Sequence, residues 1–384
     1  MKILWYSVAP FVASGYGTQT KGVINELTKR DIDVDVDCFS GQLHGDTEEE
    51  INGQTVKMYG GSGGIFDKGL INRSTNYDVT VTHMDQWMIP DQLEKVKGDM
   101  IHWSIIDQTP PPRSLQAIDG FENTKGFVPM TNWGKSQMEK YYDSDNMFDP
   151  IYHGVDLDIF TPDKSGLDDN YQKFVDSADF LVGIIGTNTL REMIPNNLEA
   201  FCKFAEKIDE KAKIYVNSQL YRQDGHHLPT IVENLLADYD VTNDQIVFRN
   251  PDKNKLPVDQ LAALYANMDV HLATTMGDSF GIPICEAGAC KTPSIVTKFS
   301  APPELVDDGR GLKVKPHADI WMQRTNSKQK IPSTDDIARA LEIYYEDEKK
   351  RKLHGRKMRK WAKMNCNWNT VGEQWANLLR REYG

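Results

Sequence analysis

The order of two apolar periodicities along the chain limits its fold more than any other feature. KILWYSV (2–8) is a short apolar run, TKGVINELTKR (20–30) sets Val23, Ile24 and Leu27 at helical spacing, and DVDVDCF (33–39) alternates with period two. Strand, helix, strand in that order is the unit of a parallel sheet. A second series starts at FLVGIIG (180–186), runs through the helical pattern NNLEAFCKFAEKI and the strand KIYVNS, and reaches IVFRN at 246–250. A chain of 384 residues outgrows one core. Two doubly wound α/β domains are therefore predicted. DPIYHGVDLDIFTPDKSG, rich in Pro, Gly and Asp, is the natural join. The reading sets a first domain at 1–150, a linker at 151–165, a second domain at 166–360 and a closing helix at 361–384.

Charge bears on the partner. The chain carries a net −12, and residues 1–150 hold 22 acidic against 13 basic side chains, a net of −9. Nucleic-acid binders usually show a basic stripe instead, so the balance argues mildly against a surface that tracks phosphates over the whole molecule. The five cysteines, Cys38, Cys202, Cys285, Cys290 and Cys366, are scattered with no C-x-x-C pair. That pattern fits a reduced, cytoplasmic setting. KILWYSVAPFVA reads as a buried first strand, and no run approaches the roughly 20 apolar residues of a membrane span. DVDVD (33–37) reads as a solvated sheet edge, and no D-x-D motif in a suitable loop calls for a metal.

GDSFGIPICEAGAC (277–290) sets Asp278 and Glu286 eight positions apart, just after the strand DVHLA. Ligands of doubly wound sheets bind at the carboxyl ends of the strands. The glycines allow backbone N–H groups to approach a ligand, and the positive end of the helix that follows points at the same place. A phosphorylated, hydroxyl-rich ligand suits such a site. GIIGTN is not G-x-G-x-x-G, and no ribose-binding acid lies about twenty residues on, which argues against a nicotinamide enzyme. In the first domain, SGYG (14–17) falls between strand and helix, and THMD with His83 and HWSIIDQTPPP with Asp107 follow later strand-like runs. His102 reads as a core residue.

LAALYANMDVHLATTMGDSFGIPICEAGACKTPSIVT, with YHGVDLDIFTP before it and APPELVDDGRG after it, resembles the nucleotide-binding half of retaining GT-B glycosyltransferases of family 4. The resemblance runs nearly unbroken from about 150 to 314. It implies two Rossmann-like domains facing a central cleft, with the C-terminal helix crossing back to the N-terminal domain and Trp368 and Trp375 as its packing face. It also implies transfer of a sugar from a nucleotide-diphosphate donor, with retention and no obligatory metal or cofactor. By the resemblance Glu286 holds the ribose hydroxyls and Asp278, where the family has Glu, meets the donor sugar. Arg191 meets the phosphates; Thr187 stands where the family has another Arg, and Glu192, expected to face away, where it has Lys. Gly15, Tyr16, Gly17, Asn250, Ser279, Phe280, Gly281 and Ile282 complete the expected donor site. Asp107, then His83, are the polar catalytic candidates of the first domain, beside Asp278.

The implied acceptor is a saccharide, a lipid-linked sugar or a small molecule, ranked ahead of a modified nucleic-acid base. An epimerase and a non-catalytic sugar-nucleotide binder are the alternatives. Nine basic residues between Lys349 and Lys363 read as a solvated helix, with an anionic partner as the competing reading.

Overall fold

The computed structural model describes residues 1–39, 43–61, 64–142, 146–208, 211–253 and 256–384. The chain forms two compact units: Met1–Gly154 with Met322–Ser327 and Asn365–Gly384, and Val155–Trp321 with Lys328–Met364.

In the first unit seven strands form one sheet: β1 (Lys2–Ser7), β2 (Asp33–Cys38), β3 (Thr47–Ile51), β4 (Gln54–Gly60), β5 (Val79–Met84), β6 (Met100–Ser104) and β7 (Thr124–Pro129), in the order β3-β4-β2-β1-β5-β6-β7. Only β3 runs antiparallel to its neighbour. The first crossover is the helix Gly15–Thr28, begun by Ser14, whose extended backbone lets its hydroxyl accept the Gly17 N–H. The final helix, Trp368–Tyr383, belongs to this unit and packs on that first helix. Trp5, Trp103 and Trp375, all fully buried, meet edge to face with centroids 5.3 to 5.9 Å apart. Edge-on aromatic pairs add about 0.5 to 1.5 kcal/mol each beyond their burial.

The DVDVD segment is no edge. A hairpin turning at Asn52-Gly53, both with positive φ, adds β4 and then β3 outside β2. The exposed edge is β3, blunted by Glu48, Glu49 and Glu50. Asp35 and Asp37 are consequently buried. Asp35 accepts from the Tyr77 hydroxyl (2.7 Å) and the Lys57 N–H (2.8 Å). Asp37 contacts Arg73, which also reaches Asp67 at 3.0 Å and lies 4.2 Å over the Tyr59 ring. Burial pushes the Asp37 carboxyl up to about 7, against the pull of Arg73.

The second unit's sheet is wholly parallel: β8 (Phe180–Ile185), β9 (Ala212–Asn217), β10 (Ile246–Arg249), β11 (Val270–Ala273), β12 (Ser294–Thr297) and β13 (Gly311–Val314), in the order β10-β9-β8-β11-β12-β13. With helices on its faces it reads as continuous apolar runs, as parallel strands do. β14 (Pro316–Met322) and β15 (Ser327–Pro332) pair as a separate ribbon. The order reverses between β8 and β11, which is where a doubly wound sheet takes its ligand.

Candidate functional site

The loop 274–281 leaves β11 at that reversal and ends at Gly281, whose φ of +104° begins the helix Ile282–Ala289. A Cβ there would stand 2.6 Å from Ile284 Cδ1, so both strain and space demand glycine. Phe280 is buried beneath the turn, and Ser279 and Ile282 are partly exposed. Asp278 closes the loop on itself: its Oδ1 accepts the Phe280 N–H (3.1 Å), while its own N–H donates to Ser300 Oγ (2.9 Å).

Arg191 sits in a single turn after β8, and the Met276 N–H donates to its carbonyl (2.8 Å). Its guanidinium donates through Nη1 to the Gly277 carbonyl (2.9 Å) and Asp278 Oδ2 (3.2 Å), and through Nη2 to Glu192. Glu192 therefore does not face away. It lines, with Asp278, Thr275, Asn197, Gly281 and Pro283, a small pocket open to solvent. Burial raises the Glu192 carboxyl above the usual range; Arg191 opposes this and Asp278 adds to it. Two acids thus face one cation beside a helix N-terminus, an arrangement that holds a hydroxyl-rich group readily and a phosphate only if Arg191 turns to it.

Glu286 lies about one turn further along the same helix and does not line that pocket. Its Oε2 accepts from the hydroxyl of Tyr265 (3.1 Å), a fully buried side chain of the helix Val258–Asn267 that stands edge-on to His271 with centroids 5.6 Å apart. Burial pushes the Glu286 carboxyl up to about 7, the Tyr265 hydroxyl acting in the opposite direction. Sequence reasoning missed Tyr265, although LYANMD places it one strand before the acid loop. Thr187 is exposed beyond β8, outside the pocket. Asn250 caps its own turn, accepting the Asp252 N–H at 3.0 Å.

In the first unit Gly15 is exposed at the start of its helix, and Gly17 is buried where a Cβ would strike the Val12 carbonyl. The Tyr16 hydroxyl donates to Asp85 (3.1 Å), an acid in the THMD motif that sequence reasoning passed over in favour of His83. His83 is wholly buried at the end of β5, its ring 4.6 Å from Trp103, 5.0 Å from Tyr16 and 5.5 Å from His153. Burial, then His153, holds it neutral far below the usual histidine range. His102 is equally buried between Thr82 and Thr124. Asp107 is partly exposed on the segment after β6. Among the described residues no three His, Cys, Asp or Glu gather to hold a metal, and no helix is long and apolar enough to cross a membrane.

Residues 225–326 match the family model of glycosyl transferases group 1. D-inositol 3-phosphate glycosyltransferase of Mycobacteroides abscessus is 28% identical over 171 residues, 44% of this chain and only 36% of that protein's length. Three solved structures superpose over nearly the whole chain. Sucrose-phosphate synthase of Thermosynechococcus elongatus has a TM-score of 0.76 at 16% identity, covering 100% of this chain and 99% of its own. Anabaena HepE in complex with UDP-glucose has 0.73 at 14%, covering 99% and 100%. The E. coli trehalose-6-phosphate protein bound with UDP-2-fluoro glucose has 0.71 at 12%, covering 99% and 99%. At these identities the likeness shows the fold, which is that of GT-B glycosyltransferases.

Proposed function

We propose, from the premise that this chain carries a group 1 glycosyltransferase domain within a GT-B fold, that it moves a sugar from a nucleotide-diphosphate donor to an acceptor hydroxyl with retention. The observation that carries the reading is the pocket at the start of the helix Ile282–Ala289, where Arg191, Asp278 and the Gly281 turn converge. Cleavage of a glycosyl-phosphate bond leaves charge on the diphosphate, which the helix N-terminus, and Arg191 once it turns from its two acids, would stabilise. Asp278 accepts from the donor sugar's hydroxyls and Glu286 from the ribose. Without a covalent nucleophile the acceptor hydroxyl attacks the face the diphosphate leaves, and a departing phosphate oxygen takes its proton.

The acceptor side belongs to the first unit. Asp107 is its proposed polar residue, because His83 lies sealed in the core. The acceptor is a saccharide, a lipid-linked sugar or a small molecule, and no metal or cofactor is required. Two of the similar structures hold UDP-linked sugars, so UDP-glucose is the first donor to try.

Glu192 favours a second reading, binding without turnover, since its carboxylate competes with phosphate for Arg191. One experiment separates the two. A donor held at about 100 times its Kd raises unfolding stability by about 2.7 kcal/mol. A stabilised protein that also releases UDP in the presence of an acceptor is a transferase. Stabilisation without release supports the binder, and no stabilisation by any of a panel of nucleotide sugars removes the donor site altogether.

A further inference from the structure

The helix Glu348–Asn365 divides its basic residues by face. Arg351 and Arg359 turn inward, Arg351 to Asp269 (2.9 Å) and the Tyr344 carbonyl (2.6 Å), Arg359 to the Ala289 carbonyl. Gly355, Met358 and Ala362 are buried with them, and Met358 packs against Gly288 of the helix Ile282–Ala289. The other seven basic residues, six lysines and Arg356, are exposed. Lys349, Lys352, Arg356 and Lys360 follow helical spacing along the outer face. Leu353 and Met364, 42% and 62% exposed, lie in the same stripe, about 16 Å apart at 1.5 Å per residue.

From Lys349 to Asn365 the chain has nine basic residues and no acid, so even with Glu348 counted a protein of net −12 carries +8 on one helix and −20 on everything else. An ordinary solvated face intersperses Glu with Lys at i,i+4, and here Lys352 with Glu348 is the single such pair within the helix. Like charges at that spacing weaken a helix. The crowding works against the helix, which suits an anionic partner.

We infer that this face docks the second unit onto an anionic lipid bilayer. Exposed apolar side chains among lysines are what an interfacial surface presents, the lysines meeting headgroup phosphates while Leu353 and Met364 enter the acyl boundary. Lysines would serve a nucleic acid as well, but single strands are held by stacking aromatic rings, of which this face has none among its exposed residues, and a duplex has no use for Leu353 and Met364. The strongly negative remainder of the chain is repelled by the same bilayer, so attachment is confined to this face.

The full chain is sedimented with vesicles of phosphatidylcholine alone and with vesicles containing about 30% phosphatidylglycerol. Binding is expected only to the anionic vesicles, weakening as salt rises from about 0.1 to about 0.5 M. Replacing Lys349, Lys352, Arg356 and Lys360 together by Gln should lower partitioning on the order of 10²- to 10³-fold, since each basic residue near an anionic surface is worth roughly fivefold. Relief of self-repulsion keeps that variant melting no lower than the parent. Leu353→Ser with Met364→Ser leaves every charge in place and should cost about tenfold. Equal binding to neutral vesicles, or partitioning unchanged in the Gln variant, overturns the inference. So does binding to a DNA or RNA duplex that depends on the four basic residues and not on Leu353 and Met364, which assigns the face to nucleic acid.

Discussion

Each unit sets two carboxylates against one guanidinium, and the surroundings of the two triads differ. Arg73, stacked over the Tyr59 ring, meets Asp37 and Asp67, and the three side chains are 20%, 0% and 8% exposed. Arg191 meets Asp278 and Glu192 at the mouth of a pocket, with exposures of 34%, 25% and 15%. The first triad is closed: its charges have already lost their water and have only each other. The second still faces solvent, so its partners can be exchanged for those of a ligand. Equal stoichiometry thus closes one site and leaves the other open to solvent.

The largest expected effect breaks the comparison at its closed end. Arg73→Met leaves Asp37 and Asp67 facing each other without a cation, and stripping one partner from a buried ion pair costs about 3 to 5 kcal/mol. Arg191→Met, at a site open to solvent, should cost less than about 1 kcal/mol of stability. Urea unfolding of both variants is the measurement. Equal losses would show that the second triad is also architectural.

At the open end the effect falls on turnover. Arg191→Ala should lower kcat by about 10²- to 10³-fold, equivalent to about 2.7 to 4 kcal/mol, with a much smaller change in donor affinity, because charge on the leaving diphosphate grows as the bond breaks. Glu192→Lys, which frees Arg191 and adds a cation, should tighten donor binding. Near-parental kcat in Arg191→Ala places the phosphate contact elsewhere.

What the sequence disclosed follows from how far each feature reaches along the chain. The β-α-β series and the Gly281 turn are settled within a few residues, so they were legible. The burial of Asp35 and Asp37 was not, because it depends on β4 and β3 adding outside β2. The hairpin signal Asn52-Gly53 was present and went unread. The direction of Glu192 is decided by the loop 276–278 closing on Arg191 across some 86 residues of sequence. The sealing of His83 likewise requires His153, far along the chain, and rings on β1 and β6. Period and spacing report which face a residue is on, and cannot report what arrives to cover it.

Glu286 tests whether the open site extends past its triad to the nucleoside. Glu286→Gln should raise the Kd for the nucleotide by one to two decades, the roughly 1.5 to 3 kcal/mol of a charge-assisted hydrogen bond, with the fold intact. Because its carboxyl is raised to about 7, the native state holds a proton there that the unfolded chain has released, and stability contributed by this group falls as pH rises from about 4.5 to about 7. Donor affinity should move the opposite way, rising over the upper part of that window as the carboxylate forms. Calorimetry across pH on the parent and on Glu286→Gln checks both; an identical pH profile in the two would take Glu286 out of the site.

The smallest effect concerns Tyr265, which touches Glu286 from the buried side and on the proposed reading would act on the donor only through it. Its hydroxyl donates to the carboxylate and lowers a pKa that burial has raised. Tyr265→Phe keeps the ring, its edge-on contact with His271 and nearly all of the packing, and removes that one donor. The Glu286 carboxyl should then climb by about one further unit, the roughly 1.4 kcal/mol of a single hydrogen bond to a charged group. At high pH the variant should bind donor almost as the parent does, because the carboxylate is formed in both; near neutrality it should bind several-fold more weakly. A uniform loss of affinity at every pH would mean that Tyr265 sets the position of Glu286 and not its charge, whereas no change at any pH would mean that the hydroxyl contributes to neither.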